Sequence, residues 1–353
     1  MRTTRFIDVP TMALLVQRVG LAAFLRQLVE TLREDFQRWP EIQAVPRLAV
    51  HSSEGVIELM PAADARHYSV KLVNGHPHNP QLGLPTVLAC GLLLDSATGA
   101  PLLLSEMTLA TALRTAATSV LAASVLARPG SRRMALIGNG AQSEFQALAF
   151  HLLLGIDELV VYDVDPHATA KLLRNLRPWP ALKVMTAPSV REAVHRADIV
   201  TTLTAARRHV AVLQPGWIEA GQHLNAVGGD CPGKTELDPA LLTDPALRPR
   251  VVVEQEMQTR VEGEIQQQPG LNVTELWRIL TGQAPGRQLP GEVTLFDSVG
   301  FALEDFSTLR LIHRLGQELG LGQELALVPA GAGDPKDLFH LLISAAPPPG
   351  SAP

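Results

Sequence analysis

After Arg128-Pro-Gly-Ser131 the chain repeats one rhythm: a short apolar run, a turn, a helical stretch, and another apolar run. RMALIG, ELVVYD, ALKVMTA, DIVTTLT, HLNAVG and VVVEQ are the runs, and most are separated by helical stretches such as SEFQALAFHLLL and SVREAVHRA. Short strands that are apolar on both faces and alternate with helices call for a parallel sheet wound with helices, an α/β architecture. Hydrophobic residues make up 46% of the 353, enough for two cores of ordinary size.

The first 105 residues read differently. Leu21, Phe24, Leu25, Leu28, Val29, Leu32 and Phe36 recur at spacings of three and four, the signature of an amphipathic helix. RLAVHSS, GVIELMP, YSVKLVNG, TVLACGLLLD and PLLLSE then read as strands, so this part is expected to be a helix on an antiparallel sheet. An Ala-rich helix over 108–126 leads to the boundary at Arg128–Ser131. Another amphipathic helix begins at Phe301, LALVPA is expected to return a strand to the first domain, and AAPPPGSAP over 345–353 reads as a disordered tail.

Net charge of −5 with scattered basic residues leaves no footprint for nucleic acid or a membrane surface. Cys90 and Cys231 are too few for a disulfide framework or a thiolate zinc site, which points to a reducing compartment. No leader-like apolar region opens the sequence and no run approaches about 20 apolar residues, so a cytoplasmic protein is expected. His76 and His78 have ligand spacing but no evident third partner, so no metal site is assigned.

Within RMALIGNGAQSEFQ, Gly138 and Gly140 fall between a buried strand and a helix, where glycines let the backbone turn tightly against a pyrophosphate. The third position of that fingerprint is Ser143, a departure expected to loosen helix-strand packing. Asp163 closes the next strand about 20 residues on, where a carboxylate holds ribose hydroxyls and repels a 2′-phosphate, favouring NAD. Thr204 ends a further strand on the same sheet edge.

GGDCPGKT, residues 228–235, also satisfies the triphosphate-loop pattern G-x-x-x-x-G-K-[ST]. Pro232 removes a backbone donor, Asp230 puts negative charge into the cradle, and Pro239 interrupts the helix that should follow. A triphosphate site is therefore rejected. Gly228 and Gly229 instead bring the backbone close to a ligand, with Asp230 as a buried candidate proton acceptor at the crevice.

NAVGGDCPGKTEL, VNGHP, SEMTLATALRTAATS, ALIGNGAQSEFQALAF, QTRVEGEIQQ and FDSVGFALEDF together resemble the ornithine cyclodeaminase and mu-crystallin family, from FIDVPTM to DPKDLF. The resemblance implies a homodimer whose NAD-binding Rossmann domain, expected over 129–318, is inserted in a discontinuous α+β substrate-binding and dimerisation domain over 1–128 and 319–344. It also implies cyclodeamination of L-ornithine to L-proline and ammonia with NAD regenerated. Family positions that hold the substrate carboxylate match Arg47, Lys71 and Arg114, with Val299 beside the substrate. Glu58 matches an acid near the reacting amines and Asp230 the general base. Cofactor contacts match Thr86, Arg114, Asn139, Ala141, Gln142, Asp163, Thr204, Val227, Lys234 and Ser298, beside Gly138, Gly140, Gly228 and Gly229.

Strand alternation agrees with part of this: Lys71 opposes Val70 and Leu72 and Arg47 opposes Leu48 and Val50, so both cations can enter a polar pocket. The rivals are lysine cyclodeamination to pipecolate, one methylene away, an imine reductase or amino-acid dehydrogenase, and a non-catalytic small-molecule binder. The variant loop NGHPHNPQLGLPTV is a place where substrate preference could be set.

Overall fold

The computed structural model describes residues 3–205, 209–329 and 334–343, so the tail expected over 345–353 lies outside the described residues. In chain order the first segment comprises β1 (Thr4–Ile7), α1 (Val9–Val19), α2 (Leu21–Gln37), β2 (Gln43–Ala44), β3 (Leu48–His51), β4 (Val56–Ala63), β5 (His67–Gly75), β6 (Ala89–Asp95), β7 (Pro101–Glu106) and α3 (Thr108–Leu126). The second comprises β8 (Arg133–Ile137), α4 (Ser143–Leu154), β9 (Glu158–Tyr162), α5 (Pro166–Leu176), β10 (Lys183–Thr186), α6 (Val190–Val194), β11 (Ile199–Thr202), β12 (His209–Leu213) and β13 (His223–Ala226). It continues through β14 (Thr235–Leu237), α7 (Pro239–Thr243), β15 (Arg250–Val253), α8 (Glu256–Glu262), β16 (Thr274–Glu275), α9 (Leu276–Leu280) and β17 (Thr294–Asp297). Two elements close the described fold, α10 (Ala302–Glu318) and β18 (Gln323–Leu325).

The second segment forms one sheet in the order β10-β9-β8-β11-β13-β17-β15-β16, and every pairing in it is parallel. The chain winds outward from β8 to β10 and then restarts at β11 on the other side of β8. That reversal opens a crevice between the carboxyl ends of β8 and β11, where doubly wound sheets bind ligands.

The first sheet runs β18-β1-β7-β6-β5-β4-β2, with β3 also paired to β4. Its pairings are antiparallel except that β1 lies parallel to β7, so the expected antiparallel sheet is mixed. The short β1 shows no alternation, and it precedes the helices that carry the chain back across the sheet. The returning strand is Gln323–Leu325, just ahead of the predicted LALVPA, and it pairs with β1.

The expected boundary at 318 moves. α10 packs on α2, α3 and the inner face of β4, β5, β6 and β7, where Phe306 and Ala302 join Met60, Ala62 and Val73 in one buried cluster. The chain thus crosses back to the first domain directly after β17, because the apolar stripe of α10 is what covers that sheet. α3 is long and apolar enough by composition to cross a membrane, which the sequence reading did not anticipate; here it is largely buried against α2 and α4.

Strands β4 and β5 carry their polarity inside out. Glu58 and Lys71 are buried, whereas Ile57, Leu59 and Leu72 are exposed and Val50 on β3 is 75% exposed. Period-two geometry puts the charges on the face covered by α10 and the apolar side chains on the opposite face.

Candidate active site

The turn after β8 is fixed by close packing. Gly138 has φ +100°, and a Cβ there would lie 2.8 Å from the carbonyl of Leu203, so only glycine lets the turn rest on the end of β11. A Cβ on Gly140 would meet open space, and Gly140 and Ala141 are exposed at the start of α4. Asp163 Oδ2 accepts the Asn139 N–H at 2.5 Å, which brings the carboxylate at the end of β9 onto the glycine turn. Asn139 Nδ2 donates to Thr169, and Gln142 sits at the cap of α4 with Nε2 toward the Ala112 carbonyl. Ser143 does not loosen the packing: it is fully buried and its hydroxyl donates to the Gly140 carbonyl at 2.7 Å. A small polar residue satisfies the turn that the fingerprint usually leaves to glycine or alanine.

This cradle fits a dinucleotide. Backbone N–H groups at the α4 N-terminus, the open side of Gly140 and the Asp163 carboxylate stand where a pyrophosphate and a ribose are recognised.

The string GGDCPGKT runs into a strand rather than a helix, since Thr235–Leu237 is β14, paired with β12. Asp230 lies in the preceding turn, and its carboxylate accepts from Lys234 Nζ at 2.8 Å. The lysine side chain is buried, whereas that of Asp230 is 53% exposed. Asp230 is therefore at the mouth of the crevice and not buried as expected, because the loop turns its side chain outward beyond the end of β13.

The three cations expected to clamp a carboxylate converge, each already paired with an acid. Lys71 Nζ lies 2.7 Å from Asp305 Oδ2, both fully enclosed. Arg114 Nη1 donates to Glu304 at 2.7 Å and Nε to Asp305 at 3.3 Å. Arg47 donates from Nη1 to Glu58 at 3.0 Å and from Nη2 to the carbonyls of Val299 and Gly300, both at 2.8 Å, while Nε stands 3.2 Å from Glu262. Gly300 has φ +75°, and a Cβ there would strike the Arg114 guanidinium, so the same glycine admits the cation. Glu254 holds this bend from beneath, accepting from Ser298 Oγ at 2.5 Å and from the Val299 N–H at 3.1 Å.

Electrostatics follow from the enclosure. Burial lowers the Lys71 ammonium to about 8, with Asp305 opposing the shift and Arg114 and Arg47 adding to it. Burial raises Glu304 to about 8 against the pull of Arg114, with Glu254 and Asp305 raising it further. Glu262 is raised to about 7 by burial, and the negative charges of Glu58 and Asp230 reinforce that shift against Arg47. Glu58, Glu262 and Asp230 thus sense one another across the crevice.

Thr204 and Val227 lie at the ends of β11 and β13, and Val227 N–H donates to the Thr202 carbonyl. Thr86 is exposed in the loop between β5 and β6, with its carbonyl accepting from the His76 N–H. No hydrogen bond among the described residues ties it to the Gly138 turn. His76 Nδ1, at the start of that loop, is 2.8 Å from Nδ2 of Asn74 on β5. The sequence reading missed Glu254, Glu262, Glu304 and Asp305. QTRVEGEIQQ and FALEDF contain these last three, but their acids look like an ordinary solvated helix face until burial is known.

Residues 9–318 match the model of the ornithine cyclodeaminase/mu-crystallin family. The chain belongs to this family. It is 51% identical over 339 residues to an ornithine cyclodeaminase of Brucella suis biovar 1, covering 96% of this chain and 93% of that protein. Among solved structures of the same type, an archaeal alanine dehydrogenase dimer with bound NAD matches with a TM-score of 0.84 and 29% identity, over 93% of this chain and 100% of that one. A lysine cyclodeaminase, studied for recognition of L-lysine, L-ornithine and L-2,4-diaminobutyric acid, matches with a TM-score of 0.86 and 31% identity, over 95% and 99%. The α/β dinucleotide domain and the mixed-sheet domain beside it are therefore those of a cyclodeaminase-family fold.

Proposed function

We propose that the protein cyclodeaminates L-ornithine to L-proline and ammonia, with NAD regenerated in every turnover, and that it works as a homodimer. One observation carries the reading. Arg47, Lys71, Arg114 and Lys234 meet five acids in three ion-paired groups, Arg47 with Glu58 and Glu262, Lys71 and Arg114 with Glu304 and Asp305, and Lys234 with Asp230, and the charges of each group act on its neighbour. Such a site suits a substrate with one carboxylate and two amines, because an arriving ammonium stabilises the ionised form of Glu262 beside Glu58 and Asp230. The 51% identity to an ornithine cyclodeaminase supports the same choice.

Arg47, Lys71 and Arg114 place the substrate carboxylate, and their acidic partners fix each cation before the substrate enters. Gly138, Asn139, Gly140, Ala141, Gln142 and Asp163 would hold NAD, with Thr204, Val227, Gly228, Gly229, Lys234 and Ser298 along the adjoining edge. NAD, when bound, supplies a hydride acceptor for the substrate α-carbon and the hydride that later reduces the cyclic imine. The side-chain amine, an ammonium of pKa about 10 in water, must lose a proton before it attacks the α-imine. Asp230 takes that proton, oriented by Lys234. Attack expels the α-nitrogen as ammonia and closes the five-membered ring. Val299 and the neighbouring bend keep water from the imine, whose hydrolysis would give a 2-oxo acid instead.

Equal amounts of proline and ammonia from ornithine, with NAD far below stoichiometric and no NADH accumulating, are the expected products. Stoichiometric NADH release would assign an amino-acid dehydrogenase instead.

The dimer reading rests on the outward face of β3, β4 and β5, where Val50, Ile57, Leu59 and Leu72 are exposed together. The same face of a second copy covers it. Light scattering is expected to give twice the 38.0 kDa chain mass, and Val50→Glu is expected to give the monomer; a monomeric native protein would overturn this assembly.

A further inference from the structure

We infer that Glu236 is a positioning residue that locks the cofactor edge of the crevice to the loop bearing Asp230. The inference rests on the proposed function for what the crevice binds, but its geometry stands on its own. Glu236 lies on β14 and is fully buried. Its Oε1 accepts the Thr204 N–H at 2.5 Å and its Oε2 the Gly228 N–H at 2.8 Å. One carboxylate thus spans the ends of two neighbouring parallel strands, β11 and β13, with Asp230 two residues beyond the second anchor.

The clamp is itself held. Glu264 Oε1 accepts the Glu236 N–H at 2.8 Å and its Oε2 the Leu237 N–H at 2.9 Å. Glu264 follows Glu262 by two residues, so the end of α8 carries the acid that faces Arg47 and the turn after it carries the brace for Glu236. Asp297, at the end of β17, accepts the Ile265 N–H at 3.0 Å and anchors that turn in turn.

The glycines of the opening string are explained by these acids. A Cβ on Gly228 would lie 2.3 Å from the Glu236 carboxyl carbon, and one on Gly229 would lie 2.7 Å from Glu264 Oε1. Gly228-Gly229 therefore lets the backbone rest directly on two buried carboxyls. Their N–H acceptors are used in pairs, so neither oxygen of Glu236 can be replaced by a donor without losing an anchor.

Glu236→Gln is nearly isosteric, yet its amide nitrogen turns a donor toward one of the two N–H groups. The NAD dissociation constant, measured by titration without ornithine, is expected to rise about tenfold, and kcat to fall about 10²-fold through displacement of the Asp230 loop. The KM for ornithine is expected to stay within about twofold, since the carboxylate clamp is untouched. A merely structural role would lower the fraction of active protein while leaving the NAD affinity and kcat per active site at wild-type values; that result overturns the inference. Should the variant not fold, amide exchange in the native NAD-free protein decides: slow exchange at Thr204 and Gly228 is expected, and free exchange at both overturns the clamp. NAD titration and exchange do not depend on which amino acid is turned over, so failure to form proline leaves this test intact and counts only against the proposed reaction.

Discussion

Asp230→Asn is expected to abolish proline formation, lowering kcat by about 10³-fold or more, while the NAD dissociation constant changes by less than about threefold. The amide keeps the shape of the side chain but cannot accept the proton of the substrate's side-chain ammonium. Asp230 is half exposed and, among the described residues, is ion-paired with Lys234 alone, so its loss leaves the fold intact. Stability and NAD affinity should therefore separate cleanly from turnover. Stopped-flow measurement of the first hydride transfer, beside steady-state proline formation, would locate the block after α-carbon oxidation. Wild-type turnover in this variant would remove Asp230 from the chemistry and turn attention to Glu262.

Arg114→Ala is expected to cost about 3–5 kcal/mol of folding stability as well as all measurable activity. The guanidinium is buried against Glu304 and Asp305, and removing it leaves two enclosed carboxyls, with Lys71 still paired to Asp305. The pH dependence gives a sign that simple cavity formation does not. Burial already raises Glu304 to about 8, and without Arg114 its folded-state value rises further above that of the unfolded chain. A raised carboxyl favours the folded state while protonated and loses that contribution as pH rises. The deficit of the variant should therefore stay level below about pH 8, where Glu304 is protonated in both folded proteins, and grow as pH rises above about 8, as read by urea unfolding. A deficit independent of pH would assign the cost to lost packing against the Gly300 bend rather than to charge.

Much of this architecture is legible in the sequence because burial on both faces forces a pattern. The runs from RMALIG to HLNAVG are strands, and Asp163 falls on the Gly138 turn as the spacing predicts. The alternation of Lys71 with Val70 and Leu72, and of Arg47 with Leu48 and Val50, also reads correctly as cations turned into a polar pocket. What escapes is set by contacts between distant segments. The acids Glu304 and Asp305 occupy the first turn of α10, where helices commonly carry solvated carboxylates. Only the sheet beneath α10 turns them into partners for Lys71 and Arg114. The same dependence on tertiary packing misplaces the domain boundary, because an amphipathic helix does not record which sheet it covers.

GGDCPGKT illustrates the opposite case. Its match to a triphosphate loop is local, and the physical objections to that reading are local as well: Pro232, Asp230 and the missing helix. Glu236 and Glu264, which decide the conformation of the loop, are a strand and a turn away. Glycines required by a buried carboxylate and glycines required by a phosphate look alike in one dimension.

The hydrogen taken from the substrate α-carbon is expected to return to the same carbon after ring closure. L-Ornithine deuterated at the α-carbon, incubated with the protein and a trace of NAD, tests it directly. Proline that keeps the deuterium at C2, with no NADH build-up, is the expected result. Proline carrying solvent hydrogen at C2, or a 2-oxo acid formed with one NADH per ornithine, would contradict it.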